Sequence, residues 1–156
     1  MPDKFIIPVK LIELDDQSYH LLIEASINNI PLNLIIDTGA SKTVFDKTIL
    51  EGSIHAHESE IQNIRSSGIM ADNIDSKMGM AEIFRIGDLE LNGYPVVMID
   101  LDAINNLYLT IAGKKIHGLL GSDFLLKFEA VIDYKKLLLI LRKPKRVNYQ
   151  KLSNNP

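Results

Sequence analysis

An alternation of apolar and polar residues between Tyr19 and Ile36 constrains the fold of this chain more than any other feature. Successive side chains of a strand point to opposite faces, so an apolar period of two residues predicts a strand with one buried face. The alternating apolar positions are Leu21, Ile23, Ala25, Ile27, Ile30, Leu32, Leu34 and Ile36. They flank Asn28-Asn29, a pair that tolerates the left-handed backbone of a tight turn. The sequence therefore predicts a β-hairpin whose second strand ends at Asp37.

Further short apolar runs, bounded by turn residues, predict more strands along the chain. These runs cover residues 43–45, 81–86, 94–101, 130–134 and 137–141. We expect Asn92-Gly93 to form a hairpin turn, and Asp46 to cap a brief helical turn that ends at Leu50. Many strands in succession indicate a mostly β protein.

One helix is predicted near the C-terminus. Ser122 is expected to cap it, and its apolar residues at helical spacing are Phe124, Leu125 and Phe128. The polar stretch that ends the chain, from about residue 146, is predicted to be frayed. We therefore expect one domain over residues 1–145 and a tail over residues 146–156.

Composition narrows the class of protein. A length of 156 residues fits one domain but not a second lobe. The formal net charge of −3 argues against a nucleic-acid partner, and the lack of cysteine removes disulfides and thiol chemistry. No stretch has the length of a membrane span or the core of a signal peptide, so we expect no membrane partner and, unless a leader was removed, a cytoplasmic location.

The sharpest local motif follows the predicted hairpin. The apolar strand that ends at Ile36 delivers a carboxylate, Asp37, onto the tight turn Asp37-Thr38-Gly39. Thr38 offers a hydroxyl, Gly39 permits close approach of another backbone or a ligand, and the small Ala40 keeps the surroundings open. A carboxylate is costly to bury, so its place at the end of an apolar strand indicates a chemical role.

This motif, together with Leu119-Leu120-Gly121 before a short helix, resembles the retroviral-type aspartic proteases, or retropepsins. In that family an apolar hairpin leads into Asp-Thr/Ser-Gly-Ala/Ser, a mobile hairpin called the flap follows, and two hydrophobic residues and a glycine precede a short helix. The resemblance covers approximately residues 19–141. It implies an all-β fold, a closed acid-protease barrel with one short C-terminal helix. Residues 102–115 are expected to form an insertion, either a wall of the site or a surface loop.

The resemblance also implies the residues of the site. Asp37 would be the catalytic acid and base, with Thr38 bracing two active-site loops and Gly39 completing the motif. The substrate-binding residues would be Ala40, Ser41, the flap residues Gly68, Ile69 and Met70, and Leu119, Leu120 and Gly121. The implied substrate is a peptide or protein, and no cofactor is needed.

A single copy of the motif implies two chains. Amide hydrolysis by this route needs a water molecule between two carboxylates, one accepting its proton and the other donating to the substrate carbonyl. The sequence contains no second Asp-Thr/Ser-Gly. We therefore expect a homodimer with Asp37 of each copy at the symmetry axis. The terminal strands, residues 5–11 and 137–141, would either pair across that interface or be ordinary strands of one subunit.

Other chemistries find weaker support. A metal could be bound by His55, His57 and Glu58, but no further ligands cluster near them in sequence. Such residues in a polar loop are more often solvated side chains. Ser122 lacks the second glycine of a nucleophile elbow, and no phosphate-binding glycine motif is present. The serious rival is a non-catalytic module that binds peptides or dimerises on the same fold.

Overall fold

The fold is described from a computed structural model, which covers residues 3–52, 54 and 75–144. The chain contains ten strands and three helices within these residues. The strands are β1 (Lys4–Pro8), β2 (Lys10–Asp15), β3 (Ser18–Ile27), β4 (Ile30–Ile36), β5 (Val44–Asp46), β6 (Lys77–Ile86), β7 (Leu89–Ile99), β8 (Gly118–Leu120), β9 (Val131–Asp133) and β10 (Leu138–Arg142). The helices are α1 (Lys47–Leu50), α2 (Asp102–Ala112) and α3 (Ser122–Lys127).

Six of these strands form a closed barrel in the order β3, β4, β8, β5, β7, β6. Closure comes from the pairing of Ser26 with Arg85 and of Ile27 with Phe84, which joins β3 to β6. Strand β2 pairs with the first half of β3. The predicted mostly β, closed-barrel fold is confirmed.

The predicted hairpin is formed by β3 and β4. Its turn residues Asn28 and Asn29 have φ values of 48° and 66°, the left-handed backbone that asparagine tolerates. Asn28 also ties the turn to β6, because its side-chain Oδ1 accepts a hydrogen bond from the backbone N–H of Ile83 at 3.1 Å. The hairpin therefore contributes to barrel closure as well as leading to Asp37.

The interior of the barrel is apolar and rich in aromatic rings. Phe84 is fully buried and packs edge-on against Phe45 and Phe124, with ring centroids 5.5 and 6.0 Å away. Leu34 and Ile36 of β4 point into this core. Each fully buried side chain of this size contributes about 1.5–3 kcal/mol of hydrophobic stabilisation. The barrel core is the larger of the two buried apolar clusters within the described residues.

A second, smaller apolar layer lies on the outside of the barrel, under helix α2. We call it the outer layer; its buried residues are Ile12, Leu14, Leu22, Ile35, Tyr108 and Ile116. Residues 102–115, expected as an insertion, form this 11-residue helix and the turn that follows it. The helix ends at Gly113, whose φ of 63° gives the left-handed cap common at helix ends.

Two local predictions are wrong. Asn92-Gly93 does not form the hairpin turn, because β6 and β7 meet at Gly87-Asp88 and Asn92-Gly93 lies within β7. Ser122 does not cap α3, because the N-cap is Gly121 and Ser122 is the first helical residue. Asp46 does cap α1, accepting a hydrogen bond from the Thr48 backbone N–H at 3.2 Å.

The two ends of the described chain meet in a small sheet of order β1, β10, β9. Strand β10 is central, paired with β1 on one side and β9 on the other. The predicted frayed tail, residues 146–156, lies outside the described residues. Among the residues described, no helix is both long enough and apolar enough to cross a membrane.

Candidate active site

Asp37 stands where β4 leaves the barrel. Its backbone N–H donates to the carbonyl of Leu120 in β8 at 3.0 Å, so the loop stays attached to the sheet. Its carboxylate Oδ1 accepts hydrogen bonds from the backbone N–H groups of Gly39 at 3.0 Å and Ala40 at 3.2 Å. Asp37 is partly exposed, and Thr38 and Gly39 are exposed. The loop thus holds one carboxylate oxygen with its own backbone and keeps the residue open to solvent.

A second loop, at the end of β8, is fastened to the Asp37 loop. The backbone N–H of Ser122 donates to the carbonyl of Ala40 at 2.8 Å, and the Ser122 hydroxyl donates to the carbonyl of Thr38 at 2.8 Å. Ser122 therefore cross-links the two loops, whereas the sequence predicted only that it would cap α3.

Gly121 lets the two loops approach each other. A Cβ atom added at Gly121 would lie 2.6 Å from the carbonyl carbon and oxygen of Lys42 and 2.9 Å from the carbonyl oxygen of Ala40. Real Cβ atoms do not come so close to backbone, so any larger residue would push the loops apart. The glycine of Leu119-Leu120-Gly121 is required by this contact.

Thr43 and Asp123 complete the fastening, and sequence reasoning assigned neither to the site. Oδ1 of Asp123 accepts hydrogen bonds from the Thr43 N–H at 2.8 Å and the Thr43 hydroxyl at 2.7 Å. The same hydroxyl oxygen accepts from the buried N–H of Gly121 at 3.0 Å. An acidic residue in the first turn of α3 was the only sequence signal, and it equally fits a favourable charge at a helix start.

The predicted substrate-binding residues differ in how deeply they are buried. Leu120 is fully buried in the barrel core, whereas Leu119 is partly buried and packs against the outer layer. Ala40 is partly exposed and Ser41 is exposed beside the Asp37 loop. The flap residues Gly68, Ile69 and Met70 lie outside the described residues.

The histidines of the possible metal site, His55 and His57, also lie outside the described residues, as does Glu58. Within residues 3–52, 54 and 75–144, no group of three or more histidine, aspartate or glutamate side chains could hold a metal ion.

Two tyrosines have pKa values that are raised by burial and by aspartates of the two loops. Burial, together with the negative charge of Asp123, raises the pKa of Tyr94 to about 12. Burial, together with the charge of Asp37, raises the pKa of Tyr108 on α2. Tyr108 also contacts His20 of β3, with its hydroxyl 3.2 Å from His20 Nδ1. Sequence reasoning singled out neither Tyr108 nor His20.

The chain resembles known proteins in sequence and in fold. The model of a family described as aspartyl protease matches residues 23–124, which include both loops. A solved retropepsin-like aspartic protease from Rickettsia conorii is 20% identical, with a TM-score of 0.52, over 90% of this chain and 91% of that one.

The retroviral protease-like domain of Ddi1 from Leishmania major is 15% identical, with a TM-score of 0.48, over 81% of this chain and 96% of that one. No curated protein matches the chain. Because the family model covers well over half of the chain and the barrel resembles that of the Rickettsia protein, the chain belongs to the aspartyl protease family and has the retropepsin-like fold.

Proposed function

We propose that this protein is an aspartic endopeptidase and that Asp37 is its catalytic carboxylate. The observation that carries the proposal is the state of Asp37: partly exposed at the end of a strand, with two backbone N–H groups fixing a single carboxylate oxygen. Among the described residues, none donates a hydrogen bond to the other oxygen, Oδ2. Such a carboxylate is held in place yet can bind a water molecule.

The reaction needs a second carboxylate, and we propose that an identical chain supplies it. Two carboxylates about 3 Å apart cannot both ionise, so in aspartic proteases in general they share one proton. The ionised member takes a proton from water, and the protonated member donates to the carbonyl oxygen of the peptide bond. Because the chain has one Asp-Thr-Gly motif, a two-fold axis beside the loop brings the two Asp37 residues together.

The proposal gives Thr38 and Gly39 a role at this axis. Both are exposed at the tip of the loop, where a twin loop would arrive. A Cβ added at Gly39 would lie 3.3 Å from the Asp37 Oδ1 atom, so a larger residue would press on the carboxylate. Thr38 would then brace the two loops through its hydroxyl.

The terminal sheet offers a surface for the second copy. Its outer face presents a row of apolar residues, Ile6 of β1, Ile140 of β10 and Val131 of β9, which the strand register places side by side. Ile6 is 59% exposed and Val131 is 53% exposed. Because β10 is already paired on both sides, only the outer edges of β1 and β9 could extend the sheet into a partner. Burying this row supports a dimer.

We propose that an extended peptide with mainly apolar side chains at the cut binds across the paired loops. Ala40, Ser41 and Leu119 are not fully buried and would contact the peptide, while Gly121 would act by letting the two loops approach each other. Leu120, which is buried, would act through the carbonyl that holds the Asp37 backbone. The flap, with Gly68, Ile69 and Met70, would close over the peptide.

The decisive experiment is Asp37→Asn, assayed against a broad peptide library. Peptide cleavage should fall by at least about a thousandfold, because the amide cannot exchange the proton that the reaction requires. Folding and dimerisation, measured by thermal unfolding and sedimentation, should change little. The matched control is Asp88→Asn in the exposed turn between β6 and β7, which should leave cleavage unchanged.

Two results would overturn the proposal. Cleavage that survives in Asp37→Asn would show that another group does the chemistry. A wild-type chain that binds peptides but cuts none would favour the non-catalytic module. Activity should also fall as pH rises far enough to ionise both carboxylates of the pair, and a rate that stays constant into alkaline solution would exclude the shared proton.

A further inference from the structure

Helix α2 covers the face of the barrel to which Asp37 belongs. Side chains of β4 alternate, with Leu34 and Ile36 inside the barrel and Ile35 in the outer layer. Continuing this alternation places Asp37 on the same face as Ile35. Leu119, which pairs with Ile35, also packs against the outer layer. The helix and the candidate catalytic residue therefore share one side of the sheet.

His20 lies in the part of β3 that runs beside the Asp37 end of β4. Strand β3 pairs with β4 in antiparallel fashion, and the described pairing ends with Leu22 opposite Ile35. Asp37 follows the last residue of β4, and the same register extended by two residues makes His20 its counterpart on β3. Opposed residues of antiparallel strands point to the same face, so this register would put His20 on the face of Ile35 and Asp37. His20 is partly exposed, so its ring can be reached from solvent.

Tyr108 holds the His20 ring. Tyr108 of α2 is 5% exposed within the outer layer, and its hydroxyl lies 3.2 Å from His20 Nδ1. The two rings meet edge to face, with centroids 5.6 Å apart and an interplanar angle of 75°. Burial and the charge of Asp37 raise the pKa of Tyr108, so the phenol keeps its proton at neutral pH. The contact fits a Tyr108 hydroxyl that donates to Nδ1, the tautomer in which a neutral imidazole carries its proton on Nε2.

We propose that His20, positioned by Tyr108, is a specificity-determining residue of the Asp37 site, and that its Nε2–H selects peptides with an acceptor-bearing side chain, carboxylate or amide, within two residues of the scissile bond. The inference rests on the proposed function, because it assumes that peptides bind beside Asp37. A donor in a mostly apolar wall favours a ligand that supplies an acceptor, since an apolar ligand would leave that donor unpaired.

The test uses the full-length Asp37→Asn chain, which would bind peptides without cutting them. Calorimetry compares the affinities of apolar octapeptides that carry glutamine or glutamate at one position with those that carry methionine there. We expect about a tenfold preference for the acceptor at one position, the size of one good hydrogen bond. Added to this background, His20→Ala should abolish the preference, and Tyr108→Phe should reduce it.

Two further variants separate specificity from a structural effect. His20→Gln keeps an N–H donor and should retain part of the preference, while Tyr134→Phe removes a hydroxyl from an exposed tyrosine and should change nothing. The same preference in His20→Ala, no preference at any position, or no peptide binding at all would overturn the inference.

A second measurement checks the geometry without peptides. In tyrosine labelled with ¹³C at Cζ, Asp37→Asn should lower the pKa of Tyr108 by removing the nearby charge. The pKa of Tyr94, which responds to Asp123, should stay at about 12. An unmoved Tyr108 titration would show that the pair does not lie beside Asp37.

The outcomes distinguish this inference from the proposed function. If wild-type protein cuts no peptide but the His20-dependent preference is found, the protease proposal fails and the selection of acceptors stands. If wild-type protein cuts peptides and His20→Ala leaves the preference intact, only the inference fails.

Discussion

Asp37 directly follows β4 and Asp46 ends β5, and these strands are the two neighbours of β8. Oδ1 of each aspartate accepts a hydrogen bond from a backbone N–H group. Their surroundings differ. Asp46 is 1% exposed, and its Oδ2 accepts a hydrogen bond from the side chain of Asn105 on α2 at 3.1 Å. Asp37 is partly exposed, and within the described residues its Oδ2 accepts no hydrogen bond. Both oxygens of the Asp46 carboxylate are therefore used by the fold, while one oxygen of the Asp37 carboxylate accepts no hydrogen bond from the described residues.

The Asp46 side chain belongs to a buried polar network. Asn105 donates to Asp46 through Nδ2 and accepts from the backbone N–H of Ile116 through Oδ1, at 2.7 Å. This arrangement joins α1, α2 and the segment before β8, and it fixes the helix that covers the outer layer. A satisfied buried network of this kind specifies one arrangement of its elements. Two aspartates in similar positions thus have different roles: Asp46 stabilises the fold, and Asp37, as we propose, is catalytic.

The largest expected effect on stability comes from Asp46→Asn. An amide there must direct its NH₂ group at either the Thr48 N–H or the Asn105 NH₂, and Asn105 cannot turn over without losing its bond to Ile116. We expect a loss of about 3 kcal/mol in the free energy of unfolding, measured with urea.

Asp37→Asn is the matched control for this change. It keeps the acceptor for Gly39 and Ala40, so its free energy of unfolding should change by less than about 1 kcal/mol. Equal losses for the two variants would remove the distinction between the two aspartates.

A smaller effect is expected for Thr43→Val, which tests the fastening of the Asp37 loop. Valine fills the same space but leaves the buried Gly121 N–H without its acceptor, and Asp123 loses one donor. We expect a loss of about 2 kcal/mol by urea unfolding, together with lower peptide cleavage. Thr43→Ser keeps the hydroxyl and should lose less; if serine and valine behave alike, the hydroxyl does not fasten the loops.

The smallest effect is a pH dependence from His117, which directly precedes β8 and lies beside Asn33 in the middle of β4. Its Nδ1 accepts the backbone N–H of Asn33 at 2.7 Å, which a neutral ring alone can do. Burial, together with the charge of Lys115, lowers the pKa of His117 from 6.5, although Asp46 opposes the shift. The unfolded chain therefore binds this proton more readily than the folded protein. The contribution of neutral His117 to the free energy of unfolding is fully present above pH 6.5 and decreases as pH falls toward the lowered folded-state pKa.

Urea unfolding at a series of pH values from 7.5 to 5 measures this loss. His117→Gln should remove the contribution of His117 to the pH dependence of the free energy of unfolding. The curves of this free energy against pH for the variant and the wild type should therefore converge at acid pH. Parallel curves over the whole range would show that the ring does not titrate differently in the two states.

Local patterns predicted much of this molecule. The β3–β4 hairpin, the cap at Asp46 and the motif at Asp37 depend on residues close in sequence, and each is present in the structure. The turn at Asn92-Gly93 was wrong because the β6–β7 register, which buries Phe84 and Leu89, overrides the local preference.

Helix α2 and half of the site could not be predicted in this way. The helix buries the polar Asn105 and exposes Leu107, Leu109 and Ile111, which blurs its apolar period. The bonds between Thr43 and Asp123 join residues 80 positions apart, and nothing in either local sequence indicates the other. His20 and Tyr108, 88 positions apart, were missed for the same reason.

The ten-residue strand β3 also has a consequence for how the chain folds. Its first half pairs with β2 close by in sequence, but its last two residues pair with β6, almost sixty positions away. Closing so long a loop costs chain entropy before any contact repays it. We therefore expect the β3–β4 hairpin to form early and the seam between β3 and β6 to form late, so the rate of folding depends on that seam.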